Sequence, residues 1–285
     1  MKTKFVQLIS ELSWKNDLRG EVFFLILLFH SVRKCGITIF FKIIFIHLTY
    51  TEFNMAKLYL VSIHIGNPED ITLRALKILK SINTLICEDY KIGKRIIKEY
   101  SLGEKELIRI NVKSSEEDID EIITQYLLKG KDIALFSDAG TPVFADPGFR
   151  LSQKAYNLGI EVVPIPGASS LMAAIVKSDI EMKRFYYYGF LSAKKEIRKK
   201  ELQKLKDFSD PIVFLEAPYR LLPLLDALKK HLPNRYINVI CELTTSNEKL
   251  IKGTTAKVYE YFKNNPFKGE FIIITEGKKR NIYKR

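Results

Sequence analysis

From Lys57 onward the apolar positions follow two alternating rhythms. Leu58–Ile63 is a short apolar run with the length of a buried strand, and the polar turn His64–Asp70 follows it. Ile71, Ala75, Ile78, Leu79 and Ile82 then recur at helical spacing. Thr84–Cys87 reads as a second strand ending in the acidic pair Glu88–Asp89, and residues 106–110 read as a third. Ser114 and Glu117 form a capping-box signal. Behind it, Ile119, Ile122, Ile123, Tyr126 and Leu127 make one helical face, closed by Lys129–Gly130. Asp132–Phe136 is the next strand and runs directly into a long loop, Ser137–Gly148. Leu151–Leu158 is helical and stops at Gly159, Glu161–Ile165 is a strand, and Pro166–Ser170 turns into an apolar helix through Val176. This alternation predicts a parallel sheet with helices on both faces.

Beyond about residue 180 the links shorten. Phe185–Tyr188, Ile212–Leu215, Ile237–Cys241, Lys249–Ile251 and Glu270–Thr275 read as strands, with helices at 194–207, 221–231 and 254–263. Hairpin-like connections predict a mixed sheet here. No repeat or flexible linker separates the halves, so the join is placed in the 167–180 helix. The expected domains are 55–170 and 171–285.

Residues 1–54 lie outside this pattern. Val22–His30 and Ile37–Leu48 are apolar, but both fall short of the ~18–20 residues that span a bilayer. The mixed-charge start does not suit a secretory signal. We read the segment as a non-native or disordered extension before Met55. The competing reading is an interfacial membrane anchor, and membrane contact is expected only if the segment is genuine.

Composition changes the picture in one respect. Lys and Arg outnumber Asp and Glu by 46 to 33, which suits a polyanionic partner. An AT-rich genome also raises Lys, Ile, Asn, Phe and Tyr together, so the charge alone does not choose between the two. Cys35, Cys87 and Cys241 are odd in number and far apart, and the histidines lack ligand spacing. Neither a disulfide framework nor a metal site is expected, and the chain is read as cytoplasmic.

Candidate chemistry collects in four loops at the carboxyl ends of strands, where open α/β sheets bind ligands. These are Ile65–Asn67, Glu88–Asp89, Ser137–Gly148 and Pro166–Ser170. In the longest, Gly140 lets the backbone approach a ligand, while Pro142 and Pro147 stiffen the turn. Asp138 and Asp146 could accept hydrogen bonds from ribose hydroxyls or face a cation; the same residues also suit a capped turn with no ligand. G-x-G-x-x-G and phosphate-loop signatures are absent. Residue chemistry alone reaches an α/β enzyme with a small-molecule site.

Ordered motifs carry the reading further. S-D-A-G-T-P-x-x-x-D-P-G at 137–148 resembles the signature of the tetrapyrrole-methylase superfamily. With I-G-N-x-x-D-I-T-L-R-A-L at 65–76, E-D at 88–89 and V-V-P-I-P-G-A-S-S-L at 162–171, it resembles the ribosomal RNA small subunit methyltransferase I family. R-F-Y-Y-Y-G-F-L at 184–191, E-A-P-Y-R-L at 216–221, E-L-T at 242–244 and K-G-E-F at 268–271 complete the order. The resemblance implies a two-domain α/β fold with S-adenosylmethionine in the interdomain cleft, in a homodimer. It implies 2'-O-methylation of a cytidine ribose in small-subunit rRNA. Carried onto matching positions, the cofactor would touch Ile65, Gly66, Asn67, Asp138, Ala139, Gly140, Thr141, Pro142, Ser169, Glu216, Ala217 and Pro218.

The departures from the family pattern are polar. Ile63–His64 stands for Thr-Pro, Tyr90–Lys91 for Thr-Arg, Ala217 and Tyr219 for Ser and His, and Cys241 for Arg. They touch the substrate more than the cofactor.

A ribose hydroxyl is a poor nucleophile, so a carboxylate is expected to help it; Glu88 and Asp89 are the candidates. Their alternative role is helix capping and pairing with Lys91 or Lys94. His64 has a suitable pKa but is read as a solvent-facing loop residue. Lys194, Lys195, Arg198, Lys199, Lys200, Lys204 and Lys206, with Arg220, form the expected RNA contact; a solvated helix face is the alternative. Tyr186, Tyr187 and Tyr188 are read as core. Two other functions remain open: a small-molecule methylase of the tetrapyrrole type, and a diverged RNA-binding protein without turnover.

Overall fold

The computed structural model describes residues 56–144 and 147–278. The readings for residues 1–54 and for Asp146 lie outside the described residues. Five strands, β1 (Lys57–Val61), β2 (Thr84–Cys87), β3 (Glu106–Arg109), β4 (Ile133–Leu135) and β5 (Glu161–Ile165), form one sheet in the order β3-β2-β4-β1-β5. Every pairing in it is parallel. The helices between them are α1 (Leu73–Ser81), α2 (Tyr90–Glu99), α3 (Glu116–Gln125) and α4 (Phe149–Asn157).

Alternation along the strands sends side chains to two cores, one on each face. Ile86, Ile133 and Leu135 pack with Ile119, Ile122 and Leu151 of α3 and α4. Leu85, Cys87, Ala134 and Phe136 pack on the other face with Ala75, Leu79 and Ile96 of α1 and α2. The capping box of α3 sits one residue later than the sequence suggests. Ser115 caps, and Asp118 reaches back to its backbone N–H at 2.7 Å. Ser114 is committed elsewhere, because its hydroxyl accepts from the Asn111 N–H at 3.0 Å.

The helix α5 (Ser170–Lys177) leads to a second sheet of β6 (Tyr186–Gly189), β7 (Ile212–Leu215), β8 (Tyr236–Cys241), β9 (Lys249–Thr254) and β10 (Phe271–Thr275). Its order is β6-β7-β10-β8-β9; β6 runs parallel to β7 and the other pairs are antiparallel. The mixed sheet expected from the short links is therefore present. One face packs on α6 (Lys195–Leu205), α7 (Leu221–His231) and α8 (Thr255–Asn264). The opposite face is covered by α5 together with Ile65, a residue from the loop after β1. Burying Ile65 there draws the carboxyl end of the first sheet onto the second.

Tyr187 and Tyr188 are half-buried, but Tyr186 is 42% exposed. That corrects the expectation of three core tyrosines: Tyr188 and Tyr187 pack on opposite faces, while Tyr186 opens an edge strand.

Candidate active site

Three loops at the carboxyl ends of β1, β4 and β5 interlock. The Ile63 N–H donates to the Gly140 carbonyl at 2.9 Å, and the Gly140 N–H returns to the His64 carbonyl at 3.1 Å. Ser62 Oγ donates to Thr141 Oγ1 at 3.1 Å, and that hydroxyl donates onward to the Ala168 carbonyl at 3.2 Å. Gly140 adopts φ +70°, a backbone that side chains rarely take, and a Cβ on it would sit 3.0 Å from Ile65. The glycine is thus required by the loop's own geometry. Ser169 caps α5.

The loop after β1 also docks on the second sheet. A Cβ on Gly66 would lie 2.4 Å from the Leu243 carbonyl oxygen. The Asn67 N–H donates to Thr244 Oγ1 at 2.9 Å, while the Asn67 side chain accepts from Glu69 N. Glu242 and Thr244 hold this turn with φ +51° and +65°. For a threonine that conformation costs roughly 1 kcal/mol or more. Sequence reading marks E-L-T as a motif but misses the docking, because neither residue type favours a left-handed backbone. Phe144, near the end of the Ser137–Gly148 loop, meets Tyr187 of β6 with ring centroids 4.8 Å apart.

Asp138 lies among these loops, half-buried, with Oδ1 shielded from water and lacking a hydrogen-bond partner. Burial raises its pKa, partly countered by the Asp89 backbone N–H that points at it and by Arg95. An acceptor left unsatisfied in a polar loop cluster fits a ligand that brings hydroxyl or amine donors. The Cys87 thiol, pushed up to about 11 chiefly by burial, is not a nucleophile.

Asp89 is the N-cap of α2, with Oδ1 accepting from Lys91 N at 2.6 Å. Of its two expected roles, helix capping is therefore present. Lys91 and Lys94 make no ion pair with it or with Glu88 among the described residues. Glu88 is half-buried beside it. His64 corrects another expectation: it is 8% exposed, wedged edge-on against Tyr100, with Nε2 3.4 Å from Glu99 Oε2. Neither ring nitrogen has a well-aligned hydrogen bond. The cause is the strand-end position of His64, which turns its ring inward toward α2.

Glu216 ends β7 and is buried; its carboxyl accepts from the Ala217 N–H at 2.9 Å, and burial raises its pKa. Arg220 Nη2 lies 3.1 Å from Glu216 Oε2, out of hydrogen-bond alignment, and donates to the carbonyls of Leu191 and Ser192. Arg220, read from the sequence as an RNA contact, acts in the fold as an internal clamp, its side chain only 18% exposed. Arg198 likewise bonds the Ser192 and Ala193 carbonyls. Lys194, Lys195 and Lys199 are exposed. The Glu216–Pro218 segment makes no hydrogen bond to the first-sheet loops among the described residues, although Leu215 and Ile65 pack against one cluster. No group of three or more potential metal ligands exists among the described residues, and no helix there is long and apolar enough to cross a membrane.

Residues 57–259 match the family of tetrapyrrole (corrin/porphyrin) methylases. A Bacillus subtilis protein named ribosomal RNA small subunit methyltransferase I is 39% identical, over 79% of this chain and 76% of its own. The Thermotoga maritima protein of the same name is 34% identical over 79% of this chain and all of its own. A crystal structure of uroporphyrin-III C-methyltransferase from Thermus thermophilus, complexed with S-adenosylhomocysteine, superposes with TM-score 0.56. It is 17% identical, over 78% of this chain and 97% of its own.

Proposed function

The chain belongs to the tetrapyrrole methylase family and, within it, to the ribosomal RNA small subunit methyltransferase I group, and we propose that it methylates small-subunit rRNA with S-adenosylmethionine. The acceptor we assign is the 2'-hydroxyl of a cytidine ribose. The observation that carries the cofactor site is the buried, unpartnered Asp138 Oδ1 among the interlocked loops. When bound, S-adenosylmethionine supplies a methyl group on a sulfonium. Ile65, Gly66, Asn67, Asp138 to Pro142, Ser169 and the Glu216–Pro218 segment would hold it. Asp138 would accept from its hydroxyl or amine donors, and the rigid loops would exclude water and fix orientation, which in-line displacement needs most.

Glu88 and Asp89 lie at the end of β2, next to Asp138. Asp89 Oδ1 holds the helix cap, and Glu88 and Asp89 together are the carboxylates we assign to accept a hydrogen bond from the ribose hydroxyl. The exposed lysines of α6 supply sequence-independent phosphate contact. A homodimer is supported by Met172 and Val176, one turn apart on α5 and 54% and 83% exposed.

The test is transfer of labelled methyl groups to isolated small subunits and, separately, to porphyrinoids. Label recovered on a ribose 2'-oxygen supports the assignment, and its loss in Asp138→Ala ties it to this loop. Label on the porphyrinoid alone would make the protein a tetrapyrrole-type methylase. Tight RNA binding without any transfer would make it a binding protein.

A further inference from the structure

Charge on the first domain is segregated by sheet face. The helices α1 and α2, on one face, carry seven cations and a single acid, Glu99. The helices α3 and α4, on the other, carry five acids and two cations. Those two cations are neutralised internally: Arg150 lies 3.1 Å from Glu116, and Lys154 lies 2.7 Å from Asp120. A genomic bias toward lysine would enrich all four helices alike. It does not explain this partition.

On α2 the cations are Lys91, Lys94, Arg95 and Lys98, spaced i, i+3, i+4 and i+7, so they share one face. All four are exposed, and none has an ion-pair partner among the described residues. The helix's one acid faces His64 instead. This row spans ~10 Å, at 1.5 Å per residue. A groove of about 730 Å³ runs between it and the edge strand β3, lined by Tyr90, Lys94, Lys98, Lys105 and Leu107 together with one acid, Glu104. At its upper end Arg109 sits 5.5 Å over the ring of Tyr90, which is 43% exposed. The row also leads to the active-site loops, since Asp89 caps α2 and its N–H points at Asp138.

We infer that this face of α2, with Tyr90 and Arg109, is a second RNA-binding surface that holds the sugar-phosphate backbone of the strand entering the active site. It rests on the RNA reading above and adds to the α6 lysines a contact adjoining the site itself. Four cations without an ion pair among the described residues, set on one helix face, suit successive phosphates, and an aromatic ring with a stacked guanidinium suits an unstacked base. Tyr90 and Arg109 sit at the carboxyl ends of β2 and β3, beside the active-site loops, and the lysine row runs from there back along the edge strand, so a strand held on it leads toward the acceptor hydroxyl.

The experiment compares the full-length protein with Lys94→Gln/Lys98→Gln, and with Lys199→Gln/Lys200→Gln on α6. Binding to a small-subunit rRNA transcript is titrated from low to moderate salt, alongside S-adenosylmethionine affinity and thermal midpoint. The α2 variant is expected to bind RNA at least tenfold more weakly. Its log-log salt slope should be shallower by about 1.4, two contacts at about 0.7 each for single strands. Cofactor affinity and midpoint should stay at wild-type values. Wild-type RNA affinity and slope in the α2 variant, with loss in the α6 variant, would overturn this surface and leave the proposed function standing. A wild-type protein that binds cofactor but no RNA would overturn the functional reading, and this surface with it.

Discussion

The backbone N–H of Asn67 donates to the Thr244 hydroxyl at 2.9 Å, joining the loop after β1 to the turn after β8. One residue earlier, Gly66 packs its Cα so closely against the Leu243 carbonyl that a methyl group has no room. The two contacts hold the first-sheet loops against the second sheet. The neighbouring backbone is immovable, because Thr244 N is itself fixed by Glu248 Oε2 at 2.8 Å.

Gly66→Ala should therefore destabilise the protein by about 1–3 kcal/mol, the usual range for overpacking a site that cannot yield. Cofactor affinity should fall with it. Thermal unfolding and calorimetric titration check both. An alanine variant as stable as wild type would mean that the two halves separate without cost here.

Asp138→Asn is expected to separate stability from binding. Burial raises the Asp138 pKa, so this group's stabilising contribution is complete below the ordinary carboxylate pKa and is lost as pH rises through the raised value. At neutral pH the ligand-free asparagine variant should unfold at the wild-type temperature or above it. Its affinity for S-adenosylmethionine should drop at least tenfold. A lower midpoint with intact affinity would place the residue in the fold and outside the ligand site.

Glu216 follows the same sign, since burial raises its pKa too. Denaturant titrations from pH 4 to 7 should show less loss of stability with rising pH in Glu216→Gln than in wild type. Surface carboxylates such as Asp179, lowered chiefly by its hydrogen bond to Lys252, act in the opposite sense and remain in both proteins. Equal slopes in the two proteins would contradict the assignment.

Arg220→Ala leaves a carboxylate that is only 1% exposed without its cation. Breaking one side of such a buried pair costs about 3–5 kcal/mol. The part of that loss due to the uncompensated carboxylate should vanish in the double variant Arg220→Ala/Glu216→Gln, while the part due to the Leu191 and Ser192 carbonyls should remain. Chemical denaturation of the four proteins in the cycle measures the coupling, and additive effects would refute the pairing of Arg220 with Glu216.

His64→Leu tests whether the buried imidazole takes part in proton transfer. Its nitrogens lack aligned partners, so an apolar residue of similar size should change stability by less than about 1.5 kcal/mol. Methyl transfer should keep its rate and pH profile. A large fall in kcat with unchanged KM would show the imidazole to be the base.

Much of the fold was legible in the chain because its signals are local. The four buried residues of β2 and the Ile119, Ile122, Ile123 stripe of α3 follow from short-range periodicity alone. The Ser137–Pro142 loop stood out by composition, and its turn does hold the buried Asp138. What misled was side-chain direction. His64 looked like a solvent-facing loop histidine, yet it is buried; Arg220, read as an RNA contact, also holds internal carbonyls that the sequence does not reveal. Which way a residue in a loop beyond a strand points depends on elements distant in sequence, here α2 for His64 and the Leu191–Ser192 backbone for Arg220.

Local signals along the chain account for the alternation of strands and helices, the parallel and mixed sheets, and the family to which the ordered motifs point. Hydrophobic spacing and turn chemistry act over a few residues, and a motif is a statement about order along the chain. Long-range packing, by contrast, docks Gly66 and Asn67 on Leu243 and Thr244 and sets the Asp89 cap beside Asp138. The same packing gathers the cations of α1 and α2 on one face and the acids of α3 on the other. Those relations join positions brought close by folding, where burial and distance set which charges are paired.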